Sequence, residues 1–123
     1  MKLQLAKKNA LNTFTAYGEG YVSVNGIRHQ SNLIVLPDRL LADWTMANFE
    51  SLSVADFERL ASLDAEIILF GTGKQLRFPD PQFLRPLIEA QKCLEVMDLP
   101  AACRTYNVLA GEGRKVAAGL LLV

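Results

Sequence analysis

The sequence predicts an α/β fold: a single layered domain over residues 1–123, with N-terminal β hairpins and a C-terminal β-α-β-α-β unit, forming a mixed sheet covered by helices. Three observations carry this. Asn25-Gly26 stands between two alternating runs and is the strongest short hairpin signal, because a type I′ turn needs φ > 0 at both central residues. Two helix starts, Ser53-x-x-Asp56 and Asp80-Pro81, alternate with short apolar runs, the pattern of parallel strands joined by crossovers. The closing segment, Val116 to Val123, is nearly continuous apolar chain of the kind buried on both faces of a sheet.

The elements follow in order. Asn12 to Tyr17 alternates as a strand, Gly18-Glu19-Gly20 punctuates it, and Tyr21 to Val24 alternates again. The return strand runs from Ile27 to Leu36 and stops at Pro37-Asp38, since proline cannot donate to a ladder. A short strand over Leu40 to Trp44 is expected next. Ser53 and Asp56 then resemble a capping box, with Phe57, Leu60 and Leu63 at helical spacing behind them. Glu66 to Phe70 is an apolar run of strand length ended by Gly71-Thr72-Gly73. Asp80 is a helix N-cap with proline at the first helical position, and Leu84, Leu87, Ile88, Gln91 and Leu94 step along one helix face. Val96-Met97 is a strand stub. Pro100 opens another helix that runs to about Ala110 and is stopped by Gly111-Glu112-Gly113. The final strand, ending at Val123 without a polar cap, reads as an edge that a second subunit covers.

Composition bounds the function. With 13 basic and 13 acidic residues the net charge is zero, which argues against nucleic acid as the main partner and suits a protein that docks on others or on its own copies. Half the residues are hydrophobic and 21% charged, the balance of a folded domain and not of a disordered one. The first residues carry lysines with no apolar stretch of signal-peptide type behind them, and no run approaches the ~18 apolar residues of a transmembrane span. A cytoplasmic location is therefore expected. Cys93 and Cys103 are too few for a disulfide framework and read as reduced thiols.

The chemistry-bearing residues each have two readings. Gly71-Thr72-Gly73-Lys74 follows a strand, where open α/β sheets place ligands, but Ile68 and Gln75 break the P-loop pattern and Leu76 the dinucleotide fingerprint. What remains is a tight strand-exit turn or a backbone anion nest. Asp98 sits where a carboxylate favours a helix N-terminus. Thr105 and Asn107, beside the bulky Tyr106, are poor residues for a helix interior; they face solvent, back-bond to the preceding turn, or point into a cleft toward residues 71–73. Arg114 suits carboxylate or phosphate, with Glu112 to orient it, or the two are ordinary surface charges. Cys103 lies in the first helical turn, where a dipole lowers a thiol pKa, but the one histidine, His29, falls on a β hairpin, so Cys103 reads as a packing residue. Cys93 falls in mid-helix and reads as inert. No metal-ligand spacing occurs, and neither a metal nor any other cofactor is expected. Trp44 either closes the core or, beside Met46 and Phe49, marks a partner surface.

The run from Met97-Asp98-Leu99-Pro100 through Cys103-Arg104-Thr105-Tyr106-Asn107 to Gly113-Arg114-Lys115-Val116, together with Gly71-Thr72-Gly73, resembles the signature of one family. It is the small conserved domain of unknown function, the Mth-type α/β domain, found in bacterial and archaeal proteins and in the mitochondrial assembly factor three of respiratory complex I. The resemblance covers the chain from about Gly20 onward. It implies a layered sheet-and-helix fold, places Gly71-Thr72-Gly73 on a conserved surface, and favours a functional role for Thr105, Tyr106 and Asn107. Leu99 departs from the family pattern, which has threonine there, so a hydroxyl function at that position does not transfer.

Two functions from different classes follow. The first is a non-enzymatic interaction protein of assembly-factor type, linked to respiratory complex maturation. Its partner is a protein, such as a membrane-enzyme subunit, and its location extends to the periphery of the inner membrane. That reading expects Trp44, Tyr106 and Arg114 on an exposed patch. The alternative is a binder, or an enzyme, of a small anionic ligand in a cleft formed by the 71–73 loop and the 98–114 segment. A third reading makes the signature purely architectural, with Ala101, Ala102, Ala117, Ala118 and Gly119 marking a tight helix–sheet contact.

Overall fold

The computed structural model describes residues 11–123. Strands β1 (Phe14–Gly18), β2 (Tyr21–Val24) and β3 (Ile27–His29) form an antiparallel meander. The Asn25-Gly26 turn has φ of 53° and 84°, as the hairpin signal requires. A second sheet has the order β5-β4-β8-β6-β7. Its strands are β4 (Leu33–Leu36), β5 (Arg39–Leu41), β6 (Ile67–Gly71), β7 (Cys93–Met97) and β8 (Val116–Leu120). β6 runs parallel to both β7 and β8, while β4 is antiparallel to β5 and β8. The helices are α1 (Val54–Ala61), α2 (Arg85–Glu89) and α3 (Leu99–Gly111). The architecture is the mixed α/β one that the sequence predicts.

Alternation along the central strands sorts the core into two layers. On one face Val116, Ala118 and Leu120 of β8 meet Ala102, Cys103, Tyr106 and Ala110 of α3, together with Phe14, Val22 and Val24 of the meander. On the other, Ala117, Ile68, Phe70 and Ile34 meet Trp44, Phe57, Leu60 and Leu87. Because both faces are covered, Leu33 to Leu36 are all buried, and the period-2 pattern that marks a half-exposed strand vanishes there. Small residues in β8 let the helices approach: a Cβ at Gly119 would lie 2.9 Å from Leu60 Cδ2 and 3.3 Å from the Trp44 ring.

Four expectations are corrected. The strand expected over Ile27 to Leu36 is two strands in different sheets, β3 and β4. The break falls at Asn32, which is 2% exposed; its amide group donates to the Thr45 and Ala47 carbonyls and accepts from the Leu122 and Val123 N–H groups. Strand β5 ends at Leu41, and Trp44 leaves the ladder to enter the core, its indole N–H donating to Asp56 O at 3.0 Å. The helix expected from Pro81 past Leu94 is a 3-10 turn (Pro81–Leu84) and the short α2, and it stops where Gln91 takes φ 57°. Beyond it the backbone satisfies itself in the parallel ladder with β6, Leu94 opposite Ile68, so Val96-Met97 is part of a full strand and Cys93 is exposed on that strand and not in a helix. The last strand is not an edge: β8 lies between β4 and β6, which occupy both its ladder sides.

Candidate functional site

In the β6–β7–β8 unit the chain leaves β6 toward β7 on one side and returns to β8 on the other. Connections that diverge from adjacent parallel strands open a crevice outside their carboxyl ends, where α/β sheets carry their ligands. Here that crevice is a cleft of about 740 Å³, walled by Tyr17 to Gly20 of the β1–β2 turn, the 72–77 loop, Leu99-Pro100 of α3 and Leu121 to Val123.

Each wall is fixed locally. Gly71 ends β6 beneath α3, and a Cβ there would sit 2.7 Å from Leu120 Cδ2 and 3.2 Å from Ala102 Cβ, so glycine is what the helix–sheet contact admits. Thr72 is buried, and its hydroxyl lies 2.6 Å from the Gln75 carbonyl and 3.2 Å from that of Met97 while accepting the Arg77 N–H at 3.2 Å. Gly73 follows at φ 91°, and its carbonyl accepts the Leu99 N–H at 2.7 Å. Asp98 caps α3, accepting the Ala101 N–H at 2.9 Å. Arg77 lies over the Phe49 ring at 4.3 Å and pairs with Glu50, whose carboxyl that guanidinium holds below the ordinary carboxylate range. Lys74 and Glu19 meet at 3.6 Å, joining the loop to the β1–β2 turn.

Of the residues singled out in the sequence, Thr72 and Gly73 line this cleft, and Gly71 and Asp98 stand immediately behind its walls. Beyond Leu99 and Pro100, the rest of the 98–114 segment does not enter it. The Asn107 side chain accepts the Phe14 N–H and donates to the Phe14 carbonyl, both at 2.9 Å, completing the outer edge of β1 as another strand would. Tyr106 is fully buried, edge-to-face with Phe14 at 5.1 Å, and donates its hydroxyl to Asn12 O at 3.0 Å; burial pushes the phenol pKa up. Thr105 is half-buried beside them on α3. Glu112 and Arg114 are exposed at the far end of this 13-residue helix, roughly 20 Å away at the ~1.5 Å rise of an α-helix. Arg114 borders a separate depression of about 270 Å³ with Asp38, Asp64 and Lys115. Trp44, at 6% exposure, and Tyr106 are core residues, so the exposed patch of Trp44, Tyr106 and Arg114 does not exist.

Sequence reasoning missed Gly20, Arg77 and the 121–123 segment as parts of the site. Gly18-Glu19-Gly20 was legible as a turn, but not its position opposite residue 73. Cys103 is buried and desolvation pushes its thiol up to about 12, against any nucleophilic role. Among the described residues no cluster of His, Cys, Asp or Glu is placed to hold a metal, and no helix is long and apolar enough to cross a membrane.

A three-layer α/β domain with its cleft at the strand ends of a mixed sheet is the class that this fold defines. The chain belongs to the family described as "Protein of unknown function (DUF498/DUF598)", whose model matches residues 14–121. It is 32% identical over 104 residues to NADH dehydrogenase (ubiquinone) 1 alpha subcomplex assembly factor 3 of Bos taurus, covering 83% of this chain but 55% of that protein. The chain thus spans about half the length of that relative. A crystal structure of a Bordetella parapertussis protein superposes with a TM-score of 0.83 at 37% identity, covering 91% of this chain and 96% of that one. A solution structure from Bordetella pertussis, described as a Mth938-like domain, gives a TM-score of 0.78 at 32% identity, covering 91% and 86%.

Proposed function

We propose that this chain is a non-enzymatic interaction protein of assembly-factor type, acting in the maturation of a respiratory membrane complex through the face that carries the cleft. One observation carries the reading: large apolar side chains are held out to solvent on the segments around the cleft. Met46 is 95% exposed, Phe78 71%, Val123 66% and Leu76 51%. They are not on loose chain. Asn32 ties the backbone flanking Met46 to that of Leu122 and Val123. Thr72 and the Arg77–Glu50 pair fix the loop on which Leu76 and Phe78 alternate with the inward Arg77. Exposed apolar groups on fixed backbone, edged by charges, are the form of a protein contact surface. The name of the bovine relative supports the same class of role.

The polar signature also fits: Thr72, Asp98 and Asn107 engage backbone groups of the chain itself. The test is a deletion strain in the native cells, with assembled respiratory complex measured on native gels and partners of the tagged chain identified by native mass spectrometry. The expected result is less assembled complex at unchanged subunit synthesis, and a defined subunit bound to wild type but lost from Phe78→Ser. Full assembly in the deletion strain and no bound subunit would overturn the reading.

A further inference from the structure

The open sheet edge that the sequence assigns to the last strand lies instead on β7, the terminal strand in the order β5-β4-β8-β6-β7. The other edges are short or closed. β3 and β5 are each three residues long, and the Asn107 side chain takes both main-chain groups of Phe14 on β1. β7 runs for five residues without proline or glycine. Among the described residues no strand pairs with its outer side, and an edge of that length is one that proteins normally blunt or cover.

Main-chain groups alternate along this strand. Cys93 N–H donates to Glu66 O at 2.9 Å and Met97 O accepts the Thr72 N–H at 2.8 Å, so Cys93, Glu95 and Met97 turn toward β6. Leu94 and Val96 therefore present their N–H and C=O groups outward. Their side chains lie on the face of the second core layer and are only partly covered. Ile88, next to the buried Leu87 on the helix that flanks β7, is 70% exposed. An apolar stripe of Ile88, Leu94 and Val96 thus ends at an unpaired ladder.

We infer that two copies of this chain pair antiparallel through β7, joining their sheets across a two-fold axis. A two-fold contact must be self-complementary, and the registers differ in which residue meets itself. Centred on Glu95, two carboxylates stand directly opposite, which is unfavourable. Centred on Cys93, Leu94 faces Lys92 and can only donate, because the Lys92 N–H already goes to Leu87 O. Centred on Val96, Leu94 faces Asp98, whose carbonyl already holds the Ala102 N–H at the start of α3. Centred on Leu94, each Leu94 exchanges both bonds with its copy and each Val96 N–H meets a Lys92 carbonyl. Glu95 then faces Cys93, a residue whose Sγ already lies 3.8 Å from the Glu95 carboxylate on the same exposed side of the strand. The apolar stripes of the two copies continue the second core layer from one sheet to the other. A strand of another protein would have to bring apolar residues to this face and no acid opposite Glu95; the chain's own β7 brings both in one register.

The contact is one strand pair with three apolar side chains per copy, so the dimer is weak, half dissociated at about 10–500 µM. Sedimentation velocity of the full chain over a concentration series should show that reversible dimer. Ile88→Asp, an exposed change, and Val96→Pro, which removes an outward N–H on an edge strand, should each weaken it at least tenfold. Phe78→Ser, on the cleft face, should leave it unchanged, which separates this result from the interaction reading. Mild oxidation reads the register, with Cys103 buried and out of reach. Facing residues of a non-hydrogen-bonded pair have Cβ atoms about 4.5–5.5 Å apart, close enough to bridge with small shifts. Wild type mixed with Cys93→Ser/Glu95→Cys should therefore form mixed disulfide dimers at least fivefold faster than either protein alone. The inference is overturned by a chain that stays monomeric at millimolar concentration, by a dimer indifferent to Ile88→Asp, or by preferred like-with-like cross-links at position 93 or 95. A dimer lost in Phe78→Ser and kept in Ile88→Asp would likewise overturn it, moving self-association to the cleft face.

Discussion

The two ends of α3 differ in how their polar groups are used. At the N-terminal end Asp98 is bonded into the helix start, Gly73 O holds Leu99, and Thr72 crosses to Met97. At the C-terminal end Gly113, at φ 80°, closes the helix through backbone bonds, leaving the side chains of Glu112 and Arg114 exposed. One end is constrained by packing and the other is a solvated surface, though sequence reading assigned both to one site. A family-type residue is therefore no guide to a site until its partners are known.

Substitutions along α3 sharpen this contrast. Tyr106→Ala removes a fully buried ring that packs on Phe14 and should cost about 3–5 kcal/mol in chemical denaturation. Asn107→Ala leaves the Phe14 N–H and carbonyl without their partner and should cost about 1–3 kcal/mol, with hydrogen exchange accelerating first in β1. Asp98→Ala loses the cap and should cost about 1 kcal/mol, with Asn recovering most of it. Arg114→Ala should change stability by less than about 0.5 kcal/mol; a loss comparable to that of Asn107→Ala would show that the two ends are equally constrained.

The thiols extend the comparison to reactivity and pH. Cys93 is exposed on β7, whereas Cys103 is buried and its thiol is raised from an ordinary 9.0 to about 12 by desolvation. A thiol-specific reagent should label Cys93 in the native protein and Cys103 only on unfolding. Because the folded state holds the Cys103 proton more tightly, its contribution is fully present below pH 9 and is lost as pH rises toward 12. Stability should fall through that window, and Cys103→Ala should flatten the fall without abolishing it, since Tyr106 is raised in the same direction.

Much of the fold was legible where local chemistry is strong. The Asn25-Gly26 turn, the Ser53–Asp56 box, the Asp98 cap and the Gly111–Gly113 stop depend on nearby backbone, and each stands where the residues place it. The expectations that failed depend on distant partners. Leu94 fits a helical stripe and a strand equally, and the β6 ladder decides between them. The asparagines were opaque for the same reason: Asn107 is explained by Phe14, and Asn32 by the chain 90 residues further on.

The sequence by itself determined the class of the fold, its family and the starts and stops of most elements, because caps, turns and apolar periods act within a few residues. Tertiary structure alone decided that β8 is central, that Trp44 and Tyr106 are core, and that Thr72-Gly73 face Gly20 and Leu121 across a cleft. Those facts depend on which backbone groups and apolar faces meet at long range, and burial and hydrogen bonding between distant segments are satisfied only once the layers have assembled.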